Sequence, residues 1–329
     1  MDKIYNITKS KKIAATEWGD VKNPMVIMLH GGGQTRHSWK GSASKIANLG
    51  FHVITYDLRG HGESFWDENG DYTFNSHKDD LVEIIKQNNK KANLVGASLG
   101  GMVSLSLAGH DKDKNFCSSL TMVDIGIRPN DKGSERIINF MRSGINGFSS
   151  VEEAADAVSA YLPNRKRPKD VSGLEKNLRL GEDKRYYWHW DPLFLADKGG
   201  NIKEREEREE RFRQLEFAAQ NVTVPSLLVQ GALSDILTDQ EKELFMMTIP
   251  HSKFAKIDDA THMVVGDKND IFAEAIVKFL LENVSKLQIQ IERKNFQVIS
   301  ILHGQLNAAA IEGRRLQQEN YYPKIQKQK

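Results

Sequence analysis

Four short apolar runs fall in the first 125 residues: Pro24–His30, His52–Asp57, Ala92–Ala97 and Ser119–Asp124. They are rich in Val, Ile and Leu and do not alternate with polar residues. A strand with one wet face alternates, so these runs read as strands buried on both faces of a parallel sheet. Segments of helical character separate them, at Ser42–Leu49, Asn75–Gln87 and Ser98–Gly109. This alternation predicts an α/β fold of right-handed βαβ units, with a doubly wound, mostly parallel sheet. Lys3–Thr8 and Lys12–Glu17 read as an antiparallel hairpin at one edge. The alternation returns later, with strands at Pro225–Gln230 and Lys253–Ile257 and helices at Thr238–Thr248 and Asp270–Asn283.

The stretch between these blocks, 126–222, has no strand-like run. It holds helix-like pieces such as Val151–Tyr161, and its mixed-sign stretch Lys203–Arg213 reads as a solvated helix. The expected organisation is a core of residues 1–125 and 223–284, a helical cap insertion over 126–222, and an extension over 285–329. The extension carries a net charge of +5 within a chain of net charge +2. Ile299, Leu302, Leu306 and Ala310 lie there at helical spacing. Two readings stay open: a helix packed on the main domain or on a second copy of the chain, or a weakly ordered basic tail.

Composition removes several function classes. A net charge of +2 over 329 residues makes no global case for nucleic acid. The single cysteine, Cys117, excludes an intramolecular disulfide framework and a multi-cysteine metal site. It reads as a small buried side chain, since nothing basic is placed to activate it. No run approaches the roughly 18 apolar residues of a membrane span. The N-terminal dozen residues lack the apolar core of a secretory signal. The expectation is a cytoplasmic protein with no metal and no organic cofactor.

Gly96-Ala97-Ser98-Leu99-Gly100 is a G-x-S-x-G pentapeptide placed directly after a predicted strand and directly before a predicted helix. So tight a turn forces Ser98 into a strained conformation and lifts its hydroxyl clear of the sheet, at a helix N-terminus. His30-Gly31-Gly32-Gly33 ends an earlier strand, and the N–H of Gly32 with that of Leu99 could stabilise an oxyanion. A serine hydroxyl is a weak nucleophile until a base, oriented by a carboxylate, takes its proton. His262, just past the final predicted strand, lies on the sheet edge that Ser98 occupies, where ligands bind such folds. Asp235, after the Pro225–Gln230 strand, is the preferred carboxylate, with Asp124 at the end of Ser119–Asp124 as its rival. Trp39, Trp188, Trp190 and Met263 are candidates for lining a substrate pocket, with core packing as the alternative for the aromatic residues.

Five segments in chain order resemble the α/β-hydrolase superfamily: the strand leading into His30–Gly33, the Asp57–Ser64 turn, Gly96–Gly101, Gly231–Asp235 and Ala260–Met263. The similarity spans about residues 3–284. It is nearest to the capped branch of esterases, epoxide-hydrolase-like proteins and cofactor-free haloperoxidases. The resemblance implies the α/β-hydrolase fold, Ser98 as nucleophile, Asp235 and His262 as its partners, and Gly32 and Leu99 as oxyanion donors. Epoxide hydrolases carry Asp at the nucleophile position, so Ser98 speaks against their alkyl-ester chemistry. The expected activity is hydrolysis of a small carboxylic ester or related acyl compound. Carbon–carbon bond hydrolysis, perhydrolysis and non-catalytic binding of a small ligand are the alternatives.

Overall fold

A computed structural model describes residues 1–162, 167–195, 202–262 and 269–283, with only the backbone of 202–205. The chain divides into two compact units, Met1–Phe279 and Leu280–Lys329. The first contains the whole of the central sheet. The 285–329 extension and Met263 lie outside the described residues.

The strands are β1 Asp2–Asn6, β2 Lys12–Trp18, β3 Met25–Leu29, β4 His52–Tyr56, β5 Ala92–Ala97 and β6 Cys117–Val123. After β7 Leu178–Leu180 and β8 Tyr186–Trp188 come β9 Ser226–Gly231 and β10 Lys253–Ile257. Eight of them form one sheet in the order β1-β2-β4-β3-β5-β6-β9-β10. β1 pairs antiparallel with β2, and β2 with β4; every later pairing in this sheet is parallel. The expected edge hairpin and the buried parallel core are both present. Every residue of β3, β4 and β5 is buried, the structural counterpart of apolar runs that do not alternate.

The helices are α1 Lys40–Asn48, α2 Phe74–Asn88, α3 Leu99–Ala108, α4 Asp131–Arg142, α5 Val151–Tyr161, α6 Ile202–Gln220, α7 Asp239–Thr248 and α8 over 273–283. Local chemistry sets several of their starts. Thr73 Oγ1 accepts from the Ser76 N–H at 3.2 Å to cap α2, and Ser150 Oγ from the Glu153 N–H at 3.2 Å to cap α5. Such caps are worth about 1 kcal/mol each. In α6 the charges pair across to the chain after β6, with Arg128 held by Glu209 at 2.9 Å and Glu216 at 2.5 Å. Phe212, Leu215 and Ala219 on the same helix are buried.

One expectation for 126–222 needs correcting. The segment is not wholly helical: β7 and β8 form an antiparallel hairpin. Three-residue strands are too short to stand out as apolar runs. The pair forms because Tyr187 and Trp188 pack their rings against the insertion's own residues, with Phe148 and Trp188 centroids 5.1 Å apart. Among the described residues no helix is long and apolar enough to cross a membrane.

Candidate active site

Parallel strands put their carboxyl ends on one edge, and there the chain turns at Ser98, Asp124 and His262. Ser98 has φ 47° and ψ −115°, a conformation that costs a non-glycine residue about 1–3 kcal/mol. The turn closes because its flanks have no side chains. A Cβ on Gly96 would stand 2.2 Å from the Gly100 carbonyl oxygen, and one on Gly100 2.5 Å from that of Leu29. The Ser98 N–H donates to Val123 O at 3.1 Å, and the Gly100 N–H to His30 O at 3.1 Å. The elbow is thereby tied to the strand ends on both sides. Ser98 is partly exposed while its neighbours Ala97 and Leu99 are buried.

His262 is buried, and its Nδ1 lies 2.8 Å from Asp124 Oδ2. An ionised carboxylate only accepts, so Nδ1 carries the proton and Nε2 keeps its lone pair. The other Asp124 oxygen, Oδ1, accepts the Gly231 N–H at 2.8 Å. The aspartate is locked between two neighbouring strand ends. Ser98, Asp124 and His262 line one recess of about 190 Å³ together with Ala97, Val123, Asn269 and Phe272. Among the described residues no hydrogen bond yet joins Ser98 Oγ to His262, a gap common in unliganded sites.

The sequence-based preference for Asp235 is therefore corrected in favour of its rival. Asp235 lies four residues past β9, after a turn in which the Ser234 N–H donates to Gly231 O at 3.0 Å. That turn directs its carboxylate to Arg136 of α4 at 2.9 Å, on a half-exposed surface. Asp124 needs no loop to reach the site, since it directly follows β6, the neighbour of β5. Strand adjacency was the missing signal, and it is a property of the sheet order.

The glycine loop after β3 runs beside the elbow, where a Cβ on Gly31 would stand 3.3 Å from Ser98 Cβ. Among the described residues neither the Gly32 nor the Leu99 N–H donates to another protein group. The loop is braced by buried imidazoles. His30 Nε2 accepts the Leu58 N–H at 3.0 Å, so its Nδ1–H donates to Gly31 O at 2.8 Å. His61 Nε2 accepts the Gly33 N–H at 3.1 Å. Gln34 Oε1 accepts the Gly31 N–H at 3.0 Å and exchanges hydrogen bonds of 3.2 Å with Asn269, joining this loop to the Ser98 recess. The Asp57–Ser64 turn is structural: Asp57 Oδ1 accepts the Arg36 N–H at 2.7 Å, and Oδ2 the Glu63 N–H at 3.0 Å.

A second recess, of about 270 Å³, lies in the insertion and is lined by Met141, Arg179, Tyr187, Trp188, Trp190 and Leu195 among others. Trp188 and Trp190 stack with centroids 5.0 Å apart. Both line this recess and both are also buried in the hydrophobic core, as the core-packing alternative expects, whereas Trp39 lines neither recess. Trp39 is fully buried in the core at the start of α1. Cys117 is also buried, and burial pushes its thiol up to about 12. Among the described residues no group of three or more His, Cys, Asp or Glu side chains could hold a metal ion.

The two imidazoles that brace the glycine loop, and His189, whose Nε2 lies 3.3 Å from Gly33 O, carry a cost in acid. Burial pushes His61 well below the usual histidine value and lowers His30, and it brings His189 down to about 4. An unfolded chain protonates these groups near pH 6.5, the folded one only at lower pH. The unfolded state then binds more protons, so stability present above pH 6.5 drains away as pH falls toward 4. His189 alone accounts for about 3 kcal/mol across that window. Urea midpoints taken between pH 7.5 and 4.5 should fall steeply below pH 6.5. A flat profile would mean that the three rings are not held neutral.

Comparison with known proteins agrees with this fold. The family model described as alpha/beta hydrolase fold matches residues 24–269. The chain is 27% identical over 271 residues to esterase Rv0045c of Mycobacterium tuberculosis, covering 80% of this chain and 85% of that protein. It is 25% identical over 261 residues to the 3-hydroxybutyrate-oligomer hydrolase of Cupriavidus necator, covering 76% and 87%. Among solved structures, E-2-(acetamidomethylene)succinate hydrolase superposes with a TM-score of 0.69 at 20% identity, covering 85% of this chain and 98% of that one. At that identity the likeness speaks to the fold alone.

Proposed function

Because the chain belongs to the α/β-hydrolase fold family and is a hydrolase, we propose that it cleaves small carboxylic esters through an acyl-enzyme on Ser98. The observation that carries this reading is the Asp124–His262 pair facing the Ser98 elbow across one recess. Ser98 Oγ attacks the ester carbonyl carbon while His262 Nε2 takes the hydroxyl proton. The imidazolium that forms is stabilised by Asp124. The carbonyl oxygen becomes an oxyanion held by the Gly32 and Leu99 amides, each donor being worth roughly 10²–10³ in rate. Collapse breaks the acyl–oxygen bond, and His262 returns the proton to the departing alkoxide. Water, activated by the same imidazole, then releases the acid. Residues 126–222 act as the cap, and Trp190 and Met141 bring its recess against Gly33 of the glycine loop. The names of the two relatives, an esterase and an oligomer hydrolase, support ester cleavage.

The test is covalent. A fluorophosphonate probe should add one phosphonyl group per chain, and peptide mass spectrometry should locate it on Ser98. A catalytically active chain that takes the probe elsewhere, or not at all, sinks the proposal.

A further inference from the structure

Three consecutive peptide units of the glycine loop are each gripped by a different buried imidazole. His30 Nδ1–H donates to Gly31 O at 2.8 Å, which fixes the Gly31–Gly32 plane that carries the Gly32 N–H. His61 Nε2 accepts the Gly33 N–H at 3.1 Å, which fixes the next plane. The third grip comes from the 126–222 insertion. His189 Nδ1 accepts the Gly62 N–H at 2.9 Å, so its Nε2 is the protonated nitrogen, and Nε2 lies 3.3 Å from Gly33 O. One ring thus ties the third plane to the turn that presents His61. Ring centroids of His61 and His189 are 6.0 Å apart, and those of His30 and His61 are 5.3 Å apart.

The segment around His189 docks at further points. The Asp191 N–H donates to Gly60 O at 2.9 Å, and Tyr72 Oη donates to Asp191 Oδ2 at 2.5 Å. Phe194 packs edge-on to His61 at 4.9 Å, and its ring would stand 3.8 Å from a Cβ on Gly32. Three glycines in a row have wide conformational freedom, so an amide among them holds its aim only if its neighbours are fixed. Small misplacements of such donors cost rate out of proportion to their size.

We propose that His189 is a positioning residue of the oxyanion hole, through which the insertion holds the Gly31–Gly33 loop in its catalytic geometry. This rests on the esterase reading of Ser98. It makes transition-state stabilisation depend on the docking of the 189–194 segment, beyond any contact that segment makes with substrate.

The test compares His189→Phe, which keeps a flat ring without hydrogen bonds, with His189→Gln, whose amide can accept from Gly62 and donate to Gly33. With p-nitrophenyl butyrate, H189F should lose about ten- to a hundredfold in kcat with KM changed by less than about threefold. Affinity for an alkyl trifluoromethyl ketone, which forms a tetrahedral adduct, should fall in parallel with kcat/KM. H189Q should recover at least half of the loss on a logarithmic scale. A folded H189F with kcat within twofold of wild type overturns the proposal, as does an H189Q no better than H189F. Should H189F fail to fold, ¹⁵N-imidazole spectra of the wild-type chain decide. Adduct formation should move the His189 Nε2 resonance, and an unmoved resonance overturns the proposal. A wild-type chain without esterase activity or label at Ser98 removes the esterase reading, and this proposal with it. A labelled wild type beside an unimpaired H189F removes only the role of His189.

Discussion

Asp124→Asn should lower kcat toward p-nitrophenyl esters by about 10⁴-fold and leave KM nearly unchanged, whereas Asp235→Asn should leave kcat within about threefold. The first magnitude follows from what the carboxylate does for its histidine. Asp124 accepts from His262 Nδ1 at 2.8 Å and keeps Nε2 free as the base. An asparagine there can present an amide N–H to Nδ1 instead. The ring would then hold its proton on Nε2, where it cannot take another from Ser98. The second magnitude follows from exposure. Asp235 forms a half-exposed ion pair with Arg136, and such pairs are worth at most about 1 kcal/mol. Steady-state kinetics on the two variants, with circular dichroism to verify folding, separates the assignments. A large loss in Asp235→Asn beside a mild one in Asp124→Asn would reverse the roles given to these residues.

Ser98→Ala should reduce turnover by about 10⁶-fold while the thermal midpoint holds or rises. Single removals of a nucleophile in such a triad cost about as much as removing the whole unit, because the groups act together. What survives is the contribution of the oxyanion donors and of binding. The expected stability comes from the backbone. The hydroxyl makes no hydrogen bond among the described residues, while the backbone ties of Ser98 to Val123 and Met102 persist in alanine. The positive φ also persists, so strain at the elbow is not relieved. Residual activity above about a hundredth of wild type, in protein free of contaminating esterase, would place the nucleophile elsewhere.

The amino-acid sequence determined by itself most of what depends on neighbours along the chain. Short Val-, Ile- and Leu-rich runs without alternation read as doubly buried strands, and β3, β4 and β5 are buried throughout. Gly96 and Gly100 around Ser98 marked an elbow, because only glycine fits where a Cβ would meet backbone at 2.2–2.5 Å. His262 and Ser98 fell on one sheet edge because every parallel strand runs the same way. Tertiary structure alone decided which distant groups meet. Asp124 and Asp235 both follow strands that end on that edge, and the choice between them turned on sheet order and on a turn that swings Asp235 toward Arg136. Trp39 looked like a pocket residue from its place after the glycine loop, yet it is enclosed in the core. His189 carried no sequence signal for its hydrogen bond to Gly33, 156 residues away. Spacing along the chain constrains backbone turns strongly, but pairing between side chains depends on how layers stack, and that is a property of the whole fold.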